Sequence, residues 1–179
     1  MTLQTEIALP SENWKSRLKV GDVVAFRFPH EKAGENVPKV RPSLVIDVED
    51  MAGERFAVLA YGTTNPCPRK QAYCVDVRSA KERAPASLRS PTRFNAARRI
   101  LVSVHNSGFD TNAQGTPVLG QLADAALDRL HRVRARIHAE RDIRRSSLFG
   151  RRGTGRKPRP VTVETRRKGR PDTREVRYV

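Results

Sequence analysis

The chain has 179 residues and a mass of 20.1 kDa, enough for one compact domain with appendages. Hydrophobic residues make up 37% and the net charge is +16, so the surface attracts polyanions: nucleic acid comes first among partner classes and an anionic membrane surface second. No run approaches the roughly 18 apolar residues of a transmembrane helix, residues 1–17 carry no secretory pattern, and two cysteines, Cys67 and Cys74, make neither a disulfide scaffold nor a four-cysteine zinc site. These features read as a soluble, cytoplasmic protein without membrane association.

Along the chain, residues 1–19 form an N-terminal extension and a run of short strands follows. DVVAFRF (22–28) starts after Gly21 and stops at Pro29, and SLVIDV (43–48) follows Arg41-Pro42, whose proline disfavours a helical start. RFAVLAY (55–61) lies between Gly53 and Gly62, and 72–77 and RRILVSV (98–104) complete the set. Each is short, β-branched or aromatic, and bounded by Gly, Pro or Asn. Strands without intervening helices predict a small barrel or sandwich. The connection 29–40 is long for a hairpin, as functional loops often are.

The exception is 124–143, where Leu127, Leu130, Val133 (or Arg134) and Ile137 recur at helical spacing, with Arg129, Arg132, Arg136 and Glu140 on other faces. One long helix closing a small β domain is therefore expected. Beyond it, residues 141–179 hold 14 Lys/Arg against 4 Asp/Glu, so this last segment supplies +10 of the +16. GRRGTGRKPRP (150–160) has almost nothing to bury and reads as a disordered basic arm. VTVET and TREVRYV, flanking RRKGRPD, predict a marginal terminal hairpin. The tail is taken as 146–179.

Many enzyme signatures are missing: HExxH, a CxxC pair and G-x-S-x-G do not occur, and Gly150-x4-Gly155 lacks the Lys-Ser/Thr of a phosphate loop. His131 and His138, seven apart on the helix, read as packing or surface residues rather than metal ligands, and the two thiols as incidental. Two polar points remain. Arg41 sits before a rigid Pro at the mouth of the second strand, and Thr63 and Thr64 follow Gly62 at the end of the third. If these strands are antiparallel neighbours, Arg41 and Thr63 converge, offering a guanidinium fork and a short hydroxyl to a phosphate.

Several pieces in order, GDVVAFRF, AGENVPKVRPSLVI, FAVLAYGTT, RRILVSV and PVLGQL leading into the helix, give residues 20–145 a resemblance to the PemK/MazF family of toxin ribonucleases. The resemblance implies an SH3-like small β-barrel of the PemK/CcdB-like kind, mainly β with a C-terminal helix. It also implies a homodimer, single-stranded RNA as substrate, and a cognate antitoxin whose disordered segment covers the groove. The implied reaction needs no metal and no cofactor: the 2′-hydroxyl attacks the neighbouring phosphorus, leaving a 2′,3′-cyclic phosphate and a 5′-hydroxyl.

On this resemblance Arg41 and Thr63 are the catalytic pair. Arg41 stabilises the phosphorane and is a candidate proton donor, and Thr63 orients the phosphate or the 2′-hydroxyl. Arg27, His30, Lys39, Thr64 and Arg99 are expected to contact RNA, Arg99 matching the family's later arginine. Two positions depart from the family pattern. A loop histidine of some relatives is replaced by Glu35, with His30 earlier in the loop, and 94–97 carries no carboxylate, so the general base is unassigned. A non-catalytic nucleic-acid-binding barrel is the second reading; a gyrase-directed toxin of the same fold, in which Arg41 and Thr63 have no role, is the third.

The basic tail lies outside the resemblance and would add sequence-independent, salt-sensitive affinity. Deleting residues 146–179 is expected to weaken RNA binding while leaving any cleavage-sequence preference unchanged, as read by mapping the cut sites of both proteins on one transcript.

Overall fold

In the computed structural model, residues 13–29, 38–65 and 71–150 are described, together with four short strand segments at 161–162, 165–167, 170–172 and 176–177. His30, Glu35 and Cys67, with most of the 29–40 loop and the 151–160 stretch expected to be disordered, lie outside the described residues.

Six strands form one antiparallel sheet: β1 (Asp22–Arg27), β2 (Val40–Met51), β3 (Glu54–Thr63), β4 (Cys74–Val77), β5 (Thr92–Ser103) and β6 (Val118–Gln121). Their spatial order is β4-β5-β3-β2-β1-β6, curled into a half-barrel. Three helices accompany it: α1 (Asn13–Arg17), α2 (Ala80–Arg83) and the long α3 (Asp124–Gly150). The mainly β class with a closing helix thus matches the sequence pattern. PVLGQL is not just a lead-in to the helix: it contains β6, which pairs with β1 through Asp22↔Gln121 and Val23↔Gly120.

Why the strands sit here follows from burial. All residues of β1 except Arg27 are buried, so both faces of the DVVAF run are covered and the pattern reads as continuous rather than alternating. On one face Val23, Leu44, Ile46, Ala60, Phe94 and Ala96 pack under α3 through Ala126, Leu130 and Val133. On the other, Val24, Phe26, Phe28, Leu59, Ile100 and Val102 are closed by Leu18, Trp14 and Phe109. Of the two alternatives on the helix, Val133 is the buried one, and Arg134 reaches Asp47 at 3.0 Å.

β2 begins earlier than expected, at Val40, with Pro42 inside the strand. The proline is tolerated because its partner Ala25 spends its own N–H and C=O on Pro117 O and Asp110 N, so no ladder bond to Pro42 is needed on that side. β5 likewise starts six residues earlier than the RRILVSV run. In the tail, β7 (Val161–Thr162) pairs with β10 (Val176–Arg177), joining the two runs expected to make a hairpin. The intervening RRKGRPD is not a plain loop but contributes to β8 (Thr165–Arg167) and β9 (Arg170–Asp172), which pair with each other.

The helix is stitched to the sheet by charge. Asp47 receives Arg134 and His138, the latter at 3.2 Å; Glu49 receives Arg141; and Arg129 binds both the Asp76 carbonyl and Glu82. Glu82 also closes a capping box with Ser79 at the start of α2. The Arg129 hydrogen bond is the main cause holding the Glu82 carboxyl down to about 2, from an ordinary 4.5.

A carboxyl depressed in the folded state contributes stability above its unfolded value and loses it as pH falls through the folded one. The thermal midpoint is therefore expected to drop between pH 4.5 and about 2, and Glu82→Gln, which keeps the cap acceptors, to flatten that part of the profile. The β2–β3 hairpin turns through Ala52 (φ 51°) and Gly53 (φ 79°), both in the left-handed region that primed turns require. Ala52→Asn, better suited to that region, is expected to raise stability by about 0.5–1 kcal/mol in a denaturant titration.

Candidate functional site

At one end of the sheet the β2–β3 ladder closes with Ser43↔Tyr61. Gly62 then lies so close to β2 that a Cβ there would stand 2.0 Å from the Pro42 carbonyl oxygen. The next residues outward on the two strands are Arg41, which pairs with Phe26 of β1, and Thr63, which pairs with Arg93 of β5; β2 and β3 are antiparallel neighbours, the condition set for their convergence. Thr63 Oγ1 accepts a hydrogen bond from the Asn65 N–H at 3.1 Å, which shapes the turn that carries the exposed Thr64. Lys39 is exposed one residue before β2.

The side-chain centre of this end is Tyr61. The Arg41 guanidinium lies over its ring at 5.8 Å from the centroid, and that of Arg98 stacks at 4.0 Å. Phe28 meets the same ring edge-on at 5.2 Å and carries Arg98 over its own face at 5.5 Å. Arg98 is further tied to the Pro29 carbonyl at 2.9 Å. Arg41, Tyr61 and Arg98 are all half-buried, held by the sheet yet partly exposed.

Arg98 reaches this cluster through a break in β5. Ala60 pairs with Arg99, yet the next residue of β3, Tyr61, pairs with Asn95, leaving three residues of β5 unopposed. The Asn95 side chain accepts from the Ala97 N–H at 3.0 Å and holds the bulge. Bulges of this kind re-aim side chains beside functional sites. Arg99 consequently faces the other side of the sheet. Its guanidinium donates to Ala96 O at 3.0 Å and lies among the charges of Arg144, Tyr73 and Glu140 on the α3 side. Burial first, and then the like charge of Arg144, push its pKa below the ordinary arginine value. Arg99 is thus not gathered with Arg41, and Arg98 is.

Arg27 also stands apart in its bonding: it forms an ion pair with Asp110 at 2.6 Å. Neighbouring arginines 98 and 99 could be told apart only by the bulge, whose signal in the sequence is the Asn-Ala-Ala interruption of the strand pattern. Tyr61 and Phe28 read simply as strand aromatics.

What the arrangement can do chemically is bind and neutralise an anion. Among the described residues, the partners of Arg41, Tyr61 and Thr63 are rings, guanidinia and backbone; none is a carboxylate or an imidazole. Two cationic forks beside aromatic faces suit a sugar-phosphate chain with exposed bases. Among the same residues no group of three or more His, Cys, Asp or Glu is placed to hold a metal ion, and no helix is long and apolar enough to cross a membrane. No protein-family model matches this chain, and no curated protein is significantly similar to it.

Proposed function

We propose that the chain is a sequence-selective endoribonuclease toxin of the PemK/MazF kind, an SH3-like barrel that acts in the cytoplasm as a homodimer and is neutralised by an antitoxin. The observation that carries this reading is the adjacency of Arg41 and Thr63 beyond the Pro42–Gly62 contact, with Arg98 brought to the same end by the β5 bulge. In the proposed reaction the 2′-oxygen of a single-stranded RNA bonds to phosphorus and gives up its proton, while the bond from phosphorus to the 5′-oxygen breaks and that oxygen takes one up. Arg41 stabilises the charge on the phosphorane, Arg98 supplies a second cation, and Thr63 orients the phosphate. Lys39 and Thr64, at the ends of β2 and β3, lie where the flanking strand would run.

A second reading is favoured by one observation: no carboxylate or imidazole touches Arg41, Tyr61 or Thr63 among the described residues. Without a proton acceptor the same end is a nucleic-acid-binding surface rather than a nuclease, and the net charge of +16 serves either role equally well.

One experiment separates them. Wild type and Arg41→Ala are incubated with long single-stranded RNA in EDTA and the new ends are identified. The nuclease reading expects 2′,3′-cyclic phosphate and 5′-hydroxyl ends, with Arg41→Ala slower by about 100-fold or more. RNA that stays intact but is bound with a steep salt dependence would replace it with the binding module.

A further inference from the structure

Arg41 and Arg98 are like charges drawn to a single ring. Both guanidinium distances, 5.8 Å and 4.0 Å, run to the Tyr61 centroid. Left to electrostatics alone the two cations would move apart; the ring face offers each of them a negative quadrupole instead. The ring is itself fixed, because Phe28 abuts it edge-on and Tyr61 sits in the β3 ladder opposite Ser43 and Asn95. Arg41 is delivered from β2 and Arg98 from the β5 bulge, and both guanidinia lie over the ring on β3, the strand between them.

We propose that Tyr61 is a positioning residue whose ring couples Arg41 and Arg98 into one unit for the phosphodiester backbone of a single-stranded nucleic acid. The inference rests on the nucleic-acid reading of this end but not on cleavage, since a coupled pair of guanidinia binds a backbone whether or not it is cut. The Tyr61 hydroxyl is not needed; the face of the ring is.

The probe is a short 2′-deoxy single strand, which lacks the attacking hydroxyl, titrated against the full chain at several salt concentrations. Tyr61→Leu is expected to weaken binding about five- to tenfold. Although it removes no charge, it also lowers the salt slope, because guanidinia no longer held on the ring release fewer counterions. Tyr61→Phe restores both affinity and slope. In the wild-type background Arg41→Ala and Arg98→Ala together cost much less than the product of their separate losses; in the Tyr61→Leu background the losses multiply. A folded Tyr61→Leu variant with wild-type affinity and slope overturns the proposal. So do arginine losses that multiply with Tyr61 intact, a result that stands even where Tyr61→Leu fails to fold. A wild-type chain that does not bind the strand at all overturns it together with the reading of the site; binding with independent arginines leaves that reading in place and removes only the coupling.

Discussion

The approach of Gly62 to Pro42 sets the geometry of everything at the open end of the sheet. With a Cβ 2.0 Å from a carbonyl oxygen ruled out, only glycine lets β3 stay against β2 past the last ladder pair. Arg41 and Thr63, 22 positions apart in sequence, are the residues that follow this contact outward on the two strands. The contact also fixes Tyr61, one residue earlier, at the point where β5 changes register. A backbone contact with no polar chemistry of its own therefore positions the polar residues that carry the proposed function.

The division of charge in the fold follows the same economy. Acidic residues are few, and Asp47, Glu49, Asp76 and Glu82 are committed to arginines that hold α3 and β5 in place. Asp110 does the same for Arg27. Partly exposed pairs of this sort contribute modestly one by one, but together they fix the helix against a sheet whose apolar contact with it is confined to a few residues. The basic character of the chain is thus partly sorted by place: Arg129, Arg134 and Arg141 of α3 are matched by carboxylates, while Arg41, on the Tyr61 side, has an aromatic face and no carboxylate among the described residues.

Much of this was legible in the sequence because strand and helix periodicities are local. The strand run DVVAF, the Gly53 boundary before the third strand and the Leu127–Leu130–Val133–Ile137 stripe are set by burial and turn chemistry that neighbours in sequence reveal. The antiparallel pairing of β2 with β3, the condition on which Arg41 and Thr63 were expected to converge, is met. What was not legible depends on non-local register. Pro42 reads as a strand boundary until Ala25 is seen to bond elsewhere. Arg98 and Arg99 are chemically identical and adjacent, and which one joins Arg41 is decided by a three-residue bulge whose existence depends on β3. Likewise β6 is too short to announce itself, and forms because β1 offers it an unpaired edge.

The ion pairs that fasten α3 have one more consequence. Arg134 and Arg141 each keep about a quarter or more of their side-chain surface in water, so dissolved ions reach the charged contacts between helix and sheet. If the Tyr61 side takes a polyanion as proposed, ionic strength acts at two places at once, thinning that attraction on one side of the sheet and weakening the charged contacts of the helix on the other. Under the proposed reading, the conditions that favour binding are thus also those in which the charged contacts of the helix are strongest.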